Sequence, residues 1–179
     1  MSKLKGEVIL DTIRTGIVKI GFGDVGIFDK SHSRTIWQVS GKVVFNGKAN
    51  IGHGSKISVH PGGILKFGDK FAISAESSIV CSKHISFGMG CLLSWDILIM
   101  DTDLHKIYSD DGRLLNISVP IVVEDYVWIG CRASILKGAI IASGCVIGAG
   151  AVITKSCLYQ NAIYVGNNKL VKTAIRWGN

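Results

Sequence analysis

Residues 123–155 read VEDYVWIGCRASILKGAIIASGCVIGAGAVITK. A branched apolar residue recurs at every sixth position: Val123, Ile129, Ile135, Ile141, Ile147 and Ile153. Four positions after each of the first five stands a small or β-branched residue: Val127, Ala133, Ala139, Cys145 and Ala151. A period of six is compatible with the two-residue alternation of a strand. It fits neither 3.6 nor 3.5, so neither a helix nor a coiled coil is indicated. A short strand and a tight turn, repeated, make one flat face per six residues. Three faces close a triangular coil of roughly 18 residues, the hexapeptide type of β-helix. Val123 should then stack on Ile141, Ile129 on Ile147 and Ile135 on Ile153. The large residues fill the prism, the small ones fit its corners, and each coil is stabilised mainly by its neighbours.

The rule extends upstream less cleanly. Phe45, Ile51 and Ile57 are six apart, with Ala49 and Ser55 at the small positions. Pro61, Gly62 and Gly63 break the count; Phe67, Ile73 and Ile79 resume it, and after a step of eight come Phe87, Leu93 and Ile99. From Ile99 to Val123 is a whole number of hexads, but residues 102–119 do not follow the pattern. They include Asp103, His105, Lys106, Ser109, Asp110, Asp111, Gly112 and Arg113, and read as a polar loop expelled from the coil. Loops of this length in compact domains usually serve function. The expectation is one all-β domain over 1–179. Its parts are irregular first coils or a cap at 1–40, regular coils at 41–160, and a tail from 161 that forms a short helix near 170–175.

Composition agrees with a globular chain rich in strands and turns: nearly half the residues are apolar, with 22 glycines and two prolines. A formal charge of +7 favours anionic partners. No basic run interleaved with aromatics and no zinc-finger spacing points to nucleic acid. The five cysteines form no CxxC pair, which suggests reduced thiols used as small core residues. The Lys-rich start runs into Glu7, Asp11 and Arg14 without an apolar leader, and no apolar run approaches the ~20 residues that span a bilayer. The expectation is a soluble cytoplasmic protein.

The strings IGCRASILKG (129–138) and VIGAGAVITK (146–155) resemble the hexapeptide-repeat acyltransferases. The segments SWD (94–96) and DTDLH (101–105) bring the resemblance closest to bacterial O-acetyltransferases of capsule, exopolysaccharide and lipopolysaccharide sugars. It covers roughly residues 40–175. It implies a left-handed coil, against the usual right-handed crossover preference. It also implies a homotrimer with active sites between subunits, acetyl-CoA as acyl donor, and direct transfer to a sugar hydroxyl without a metal.

Such a transfer needs a base for the hydroxyl proton, and His suits it near neutrality. Of His32, His53, His60, His84 and His105, only His105 lies in the expelled loop beside carboxylates, and the family carries its catalytic His at this place. Asp103, or Asp101, is the candidate partner that orients its ring. The resemblance implies acetyl-CoA contacts at Trp128, Cys131, Ala149, Thr154 and Lys155, with Lys169 and Lys172 reaching phosphates. The family's Gly-Asn-Pro-Ala-Lys pattern is one residue shorter here and lacks its proline, at Gly166-Asn167-Asn168-Lys169. On the acceptor side stand Glu76, where relatives often place Asn, and Trp95 and Asp96 as a sugar platform. A lipid-linked acceptor would bring the protein to the membrane periphery. The competing readings are N-acetylation of an amino-sugar nucleotide, a zinc enzyme using His53, His60 and His84, and a non-catalytic scaffold.

Overall fold

The structure is a computed structural model and describes residues 5–178. It is a left-handed parallel β-helix. Three sheets form the faces of the prism, and from Glu7–Leu10 to Val152–Ile153 each successive strand passes to the next face, so every third strand pairs in parallel. The right-handed preference of crossovers arises from the twist of long strands. Here strands are two to five residues long and accumulate little twist.

The inward columns follow the hexads. On the first face Phe45, Phe67, Phe87, Val123 and Ile141 are successive partners. On the second, Ile51, Ile73, Leu93, Ile129 and Ile147 stack. On the third, Ile57, Ile79, Ile99, Ile135 and Ile153 do so. All of these are buried, as are the small corner residues Val127, Ala133, Ala139, Cys145 and Ala151.

What fills the prism changes along its axis. From Val123 onward a coil takes 18 residues, its strands have two or three, and Ile and Val fill the interior. Between Phe45 and Phe87 the coils take 22 and then 20 residues, and most strands have four. An aromatic stack fills the interior here. Phe67 lies between Phe45 and Phe87 with ring centroids 5.0 and 5.7 Å away, and Phe71 tilts against it at 4.6 Å. Such stacking adds to the area that the rings bury.

Every surplus residue between Phe45 and Val123 enters at one corner. Steps from first to second face and from second to third are six residues throughout this stretch. Steps from third to first are ten (Ile57 to Phe67), eight (Ile79 to Phe87) and twenty-four (Ile99 to Val123). The expelled loop is the largest of three insertions at this corner.

The second-to-third corner is uniform. It holds one residue per coil with positive φ: Gly54 (69°), Glu76 (48°), Asp96 (57°), Arg132 (59°) and Gly150 (68°). From Glu76 on, each donates its amide to the coil before it: Glu76 to the His53 carbonyl (2.9 Å), Asp96 to Ala75 (3.4 Å), Arg132 to Trp95 (3.0 Å) and Gly150 to Cys131 (2.9 Å). The chain must turn through about 120° in one residue, and the left-handed conformation does so while leaving that amide pointed along the prism axis. Non-glycine residues accept it at a cost on the order of 1 kcal/mol each.

The ends depart from the regular coil. Strands Glu7–Leu10, Val18–Phe22 and Ile36–Val39 each join one of the three faces, so the N-terminal stretch supplies a first, irregular coil. At the other end Ile163–Val165 continues the second face beside Val146–Ile147. In place of the short helix expected near 170–175, Lys169–Lys172 forms an antiparallel strand against Ile163–Val165. Gly166 and Asn168 have φ of 54° and 57°, which reverses the chain, and the β-branched Val171 suits the returning strand. Among the described residues no helix is long and apolar enough to cross a membrane.

The thiols are inert packing groups at four of five positions. Burial pushes Cys81 up to about 12 and Cys91 and Cys157 up to about 11, and Cys145 is raised for the same reason. Cys131 alone is half-buried.

Candidate active site

The expelled loop leaves the third face after Leu98–Met100 and returns at Ile121–Val123. Its root is Asp101, which is fully buried. The Asp101 carboxylate accepts the amides of Ser82 (2.7 Å), Lys83 (2.8 Å) and His84 (2.7 Å) from the coil before it. Three backbone donors satisfy this buried carboxylate. Asp101 therefore braces the corner and does not face His105. Its carbonyl also accepts the Val119 amide at 3.1 Å, which closes the neck of the loop.

Beyond the neck the loop forms a small hairpin. Leu115 donates its amide to Ile107 (2.8 Å), Tyr108 bridges to Leu114, and Ser109 donates to Arg113 (2.9 Å). Its apolar side chains face outward: Leu104, Ile107 and Ile117 are 57%, 54% and 58% exposed. The polar reading of this segment thus describes only part of its surface.

His105 is exposed on this loop. Its amide donates to the Asp103 carbonyl at 2.7 Å, and its own carbonyl accepts Asn116 Nδ2 at 2.7 Å. The ring makes no hydrogen bond among the described residues, so both nitrogens are open to solvent. The Asp103 carboxylate accepts from Lys137 Nζ, and from Asn116 Nδ2 at 2.8 Å, rather than from the His105 ring. Lys137 and Asn116 hold its carboxyl below the usual aspartate range.

The residues expected on the acceptor side lie at the second-to-third corner. Glu76 bonds to Ser33 and to Lys56 Nζ (3.0 Å); burial opposes ionisation, but these bonds outweigh it and keep the carboxyl below its ordinary value. Asp96 pairs with Arg132 at 3.5 Å, an exposed contact that contributes little. Trp95 is half-buried beside Asp96. One strand, Leu98–Met100, separates this pair from the root of the loop.

The expected donor contacts divide into four groups. Cys131 and Ala149 line the second-to-third corner above Asp96. Trp128 lies outward on the second face, where its Nε1 donates to Ser94 Oγ at 3.1 Å. The C-terminal segment folds back over it: Trp177 sits 6.1 Å from Trp128 and donates its Nε1 to the Tyr126 carbonyl at 2.7 Å. A cleft of about 400 Å³ opens between Leu92, Ser94, Trp128, Arg176 and Trp177. Thr154 and Lys155 cap the third face, where Asn168 accepts from Thr154 (3.0 Å) and donates to the Lys155 carbonyl (3.0 Å). Lys169 and Lys172 are exposed on the terminal strand.

Sequence reasoning did not single out Asn116, Lys137 or Trp177. Nothing in the six-residue period marks them, because each acts through a partner distant in the chain. Among the described residues no three His, Cys, Asp or Glu side chains converge as a metal-ligand set. His60 bonds to Ser82 Oγ at 2.8 Å, His53 is buried against Phe28, and burial and then Lys66 lower the His84 pKa.

Comparison with known proteins agrees with this architecture. Residues 120–155 match the family described as bacterial transferase hexapeptide (six repeats). Over 66 residues, 36% of this chain and 31% of the relative, the sequence is 35% identical to a polysialic acid O-acetyltransferase of Neisseria meningitidis. The crystal structure of the polysialic acid O-acetyltransferase OatWY superposes with a TM-score of 0.68 at 22% identity, covering 97% of this chain and 90% of that one. A galactoside acetyltransferase in complex with coenzyme A superposes at 0.60 with 21% identity, covering 73% and 64%. The matched regions span between 31% and 49% of the length of the first curated relatives. The six-residue repeat and the coil it builds define a class of left-handed β-helical proteins. Within that class, residues 120–155 match the hexapeptide-repeat transferases, and the chain is similar to members of that family.

Proposed function

We propose that the protein transfers the acetyl group of acetyl-CoA to a sugar hydroxyl in the biosynthesis of a surface polysaccharide, with His105 as general base. The observation that carries this reading is the break in the repeat. Eighteen residues leave an otherwise closed coil, and they present a histidine whose backbone is held and whose ring is free. A neutral imidazole takes the acceptor's hydroxyl proton as that oxygen attacks the thioester carbonyl. The acetyl–sulfur bond breaks, and the proton then passes to the departing thiolate. No acyl-enzyme forms and no metal is needed. Asp103 orients His105 through the loop backbone rather than by a bond to its ring.

The donor lies along the second-to-third corner, where Cys131 and Ala149 are small enough to admit the pantetheine arm. Trp128 walls the groove, Thr154 and Lys155 lie at its far end, and Lys169 and Lys172 supply positive charge for phosphates. Glu76, Trp95 and Asp96 meet the acceptor. In one chain these residues and His105 occupy different corners of the prism. A homotrimer brings one chain's loop to its neighbour's groove, and the exposed Leu98, Leu104, Ile107 and Ile117 give that contact apolar surface. Acetyl-CoA as donor places the reaction in the cytoplasm, at the membrane periphery if the acceptor is lipid-linked.

Mass spectrometry of neutral and amino sugars incubated with acetyl-CoA and the protein tests the reading. It expects a base-labile ester that is lost with His105→Ala, on a trimer seen by sedimentation. An amide product alone would instead establish N-acetylation of an amino sugar, the competing reaction on this fold. Full turnover by His105→Ala refutes the site.

A further inference from the structure

We infer that Asn116 is the positioning residue of the catalytic loop and that, with Lys137, it sets where His105 stands; this rests on the acetyl-transfer reading above. The Asn116 side-chain amide touches three alternate residues around His105. Its Oδ1 accepts the Ile107 amide at 2.6 Å, and its Nδ2 donates to the His105 carbonyl at 2.7 Å and to Asp103 Oδ2 at 2.8 Å. Both ends of the amide are thus in use on one short stretch of backbone. The same Asp103 oxygen receives Lys137 Nζ. Lys137 directly follows strand Ser134–Leu136, which is paired on both sides within the third face. A continuous chain of contacts therefore runs from a rigid coil through Lys137, Asp103 and Asn116 to the His105 backbone.

The loop needs such a link. Its other ties to the body are both at the neck, where the Val119 amide donates to Asp101 and the Val119 carbonyl accepts the Gly138 amide, and the hairpin bonds beyond it are internal. Without the clamp, His105 would move with the hairpin. A misplacement of about 1 Å at a reacting group costs on the order of 100-fold in rate. An amide is the side chain suited to this position, because it offers an acceptor and two donors in one plane. A carboxylate of the same shape keeps the acceptor for Ile107 but loses both donors, and it sets a negative charge against Asp103.

The test is Asn116→Asp, with Lys137→Gln as an independent break in the same chain of contacts. The expected result for each is a fall in kcat of about tenfold or more. KM for acetyl-CoA should stay within about twofold, and the thermal midpoint should hold. Hydrogen exchange should quicken in peptides covering 103–117 and stay slow in the coils. In Asn116→Asp the ratio of mutant to wild-type kcat should rise as the pH falls into the carboxylate range. There one proton shared by residues 103 and 116 restores a donor, and a purely structural defect shows no such recovery. Wild-type kcat and unchanged exchange in either variant would overturn the inference. So would a kcat loss that merely follows a collapsed thermal midpoint in both. His105→Ala run alongside separates the two claims. If that variant keeps full turnover, the reaction centre is misplaced, whereas exchange in 103–117 still reports whether Asn116 holds the segment.

Discussion

Ile99 and Ile135 are direct partners in one parallel sheet although 36 positions separate them in the chain, twice the 18 that separate Ile135 from its other partner, Ile153. The excess equals residues 102–119. The coil therefore closes across the loop as though it were absent, and the loop is an addition to a complete prism.

Deleting residues 102–119, so that Asp101 runs into Pro120, restores a six-residue step from Ile99 to Val123. The variant should keep its β-sheet circular dichroism and unfold cooperatively within about 5 °C of the wild type. It should have no acetyl transfer. A variant that fails to fold would show that the loop takes part in closing the coil.

Asp101 should matter for stability independently of catalysis. Asp101→Ala leaves the amides of Ser82, Lys83 and His84 without their acceptor at a buried corner. Urea unfolding should register a loss on the order of 3 kcal/mol. Asp101→Asn keeps one acceptor oxygen and should lose less. A loss under about 1 kcal/mol in the alanine variant would mean that water or another carbonyl takes over the three amides.

The aromatic stack should be the most sensitive part of the core. Phe67 is fully buried between Phe45 and Phe87, and Phe67→Ala should cost about 3–5 kcal/mol. Phe67→Leu fills most of the space and should cost less than half of that. Equilibrium unfolding of the two variants distinguishes packing from a general tolerance of these coils.

Glu76 should give the protein an acid-sensitive term. Its carboxyl has a lower pKa folded than unfolded, so its stabilising contribution is fully present above the ordinary value of 4.5 and is lost as the pH falls through the folded value. Wild type and Glu76→Gln, unfolded in urea between about pH 7 and pH 3, should converge only below that ordinary value. Parallel curves across the range would show that the contacts with Ser33 and Lys56 do not hold in solution.

The acceptor side shows what a resemblance can and cannot transfer. Glu76, Asp96 and Arg132 occupy equivalent corner positions in successive coils, which the hexad count places correctly. Their side chains nevertheless differ in what they do. Glu76 ties the first irregular coil to the prism through Ser33, because residues 23–35 fold back against that corner. No period predicts that contact, since the covering segment lies 43 residues away and outside the repeat.

The columns from Val123 to Ile153, the burial of the small corner residues and the expulsion of 102–119 were all legible in the amino-acid order. A six-residue period is a local property, and each hexad specifies its own strand and turn regardless of what surrounds it. The tertiary structure alone decided the rest. It gathered the long steps of ten, eight and twenty-four residues at one corner, and it turned 169–172 into a strand by giving it an edge to pair with. It also gave Asp103 to Lys137 and Asn116 instead of to His105. Hydrogen-bond partners in a loop depend on which neighbouring coil comes within reach, and that distance exists only once the coils are stacked.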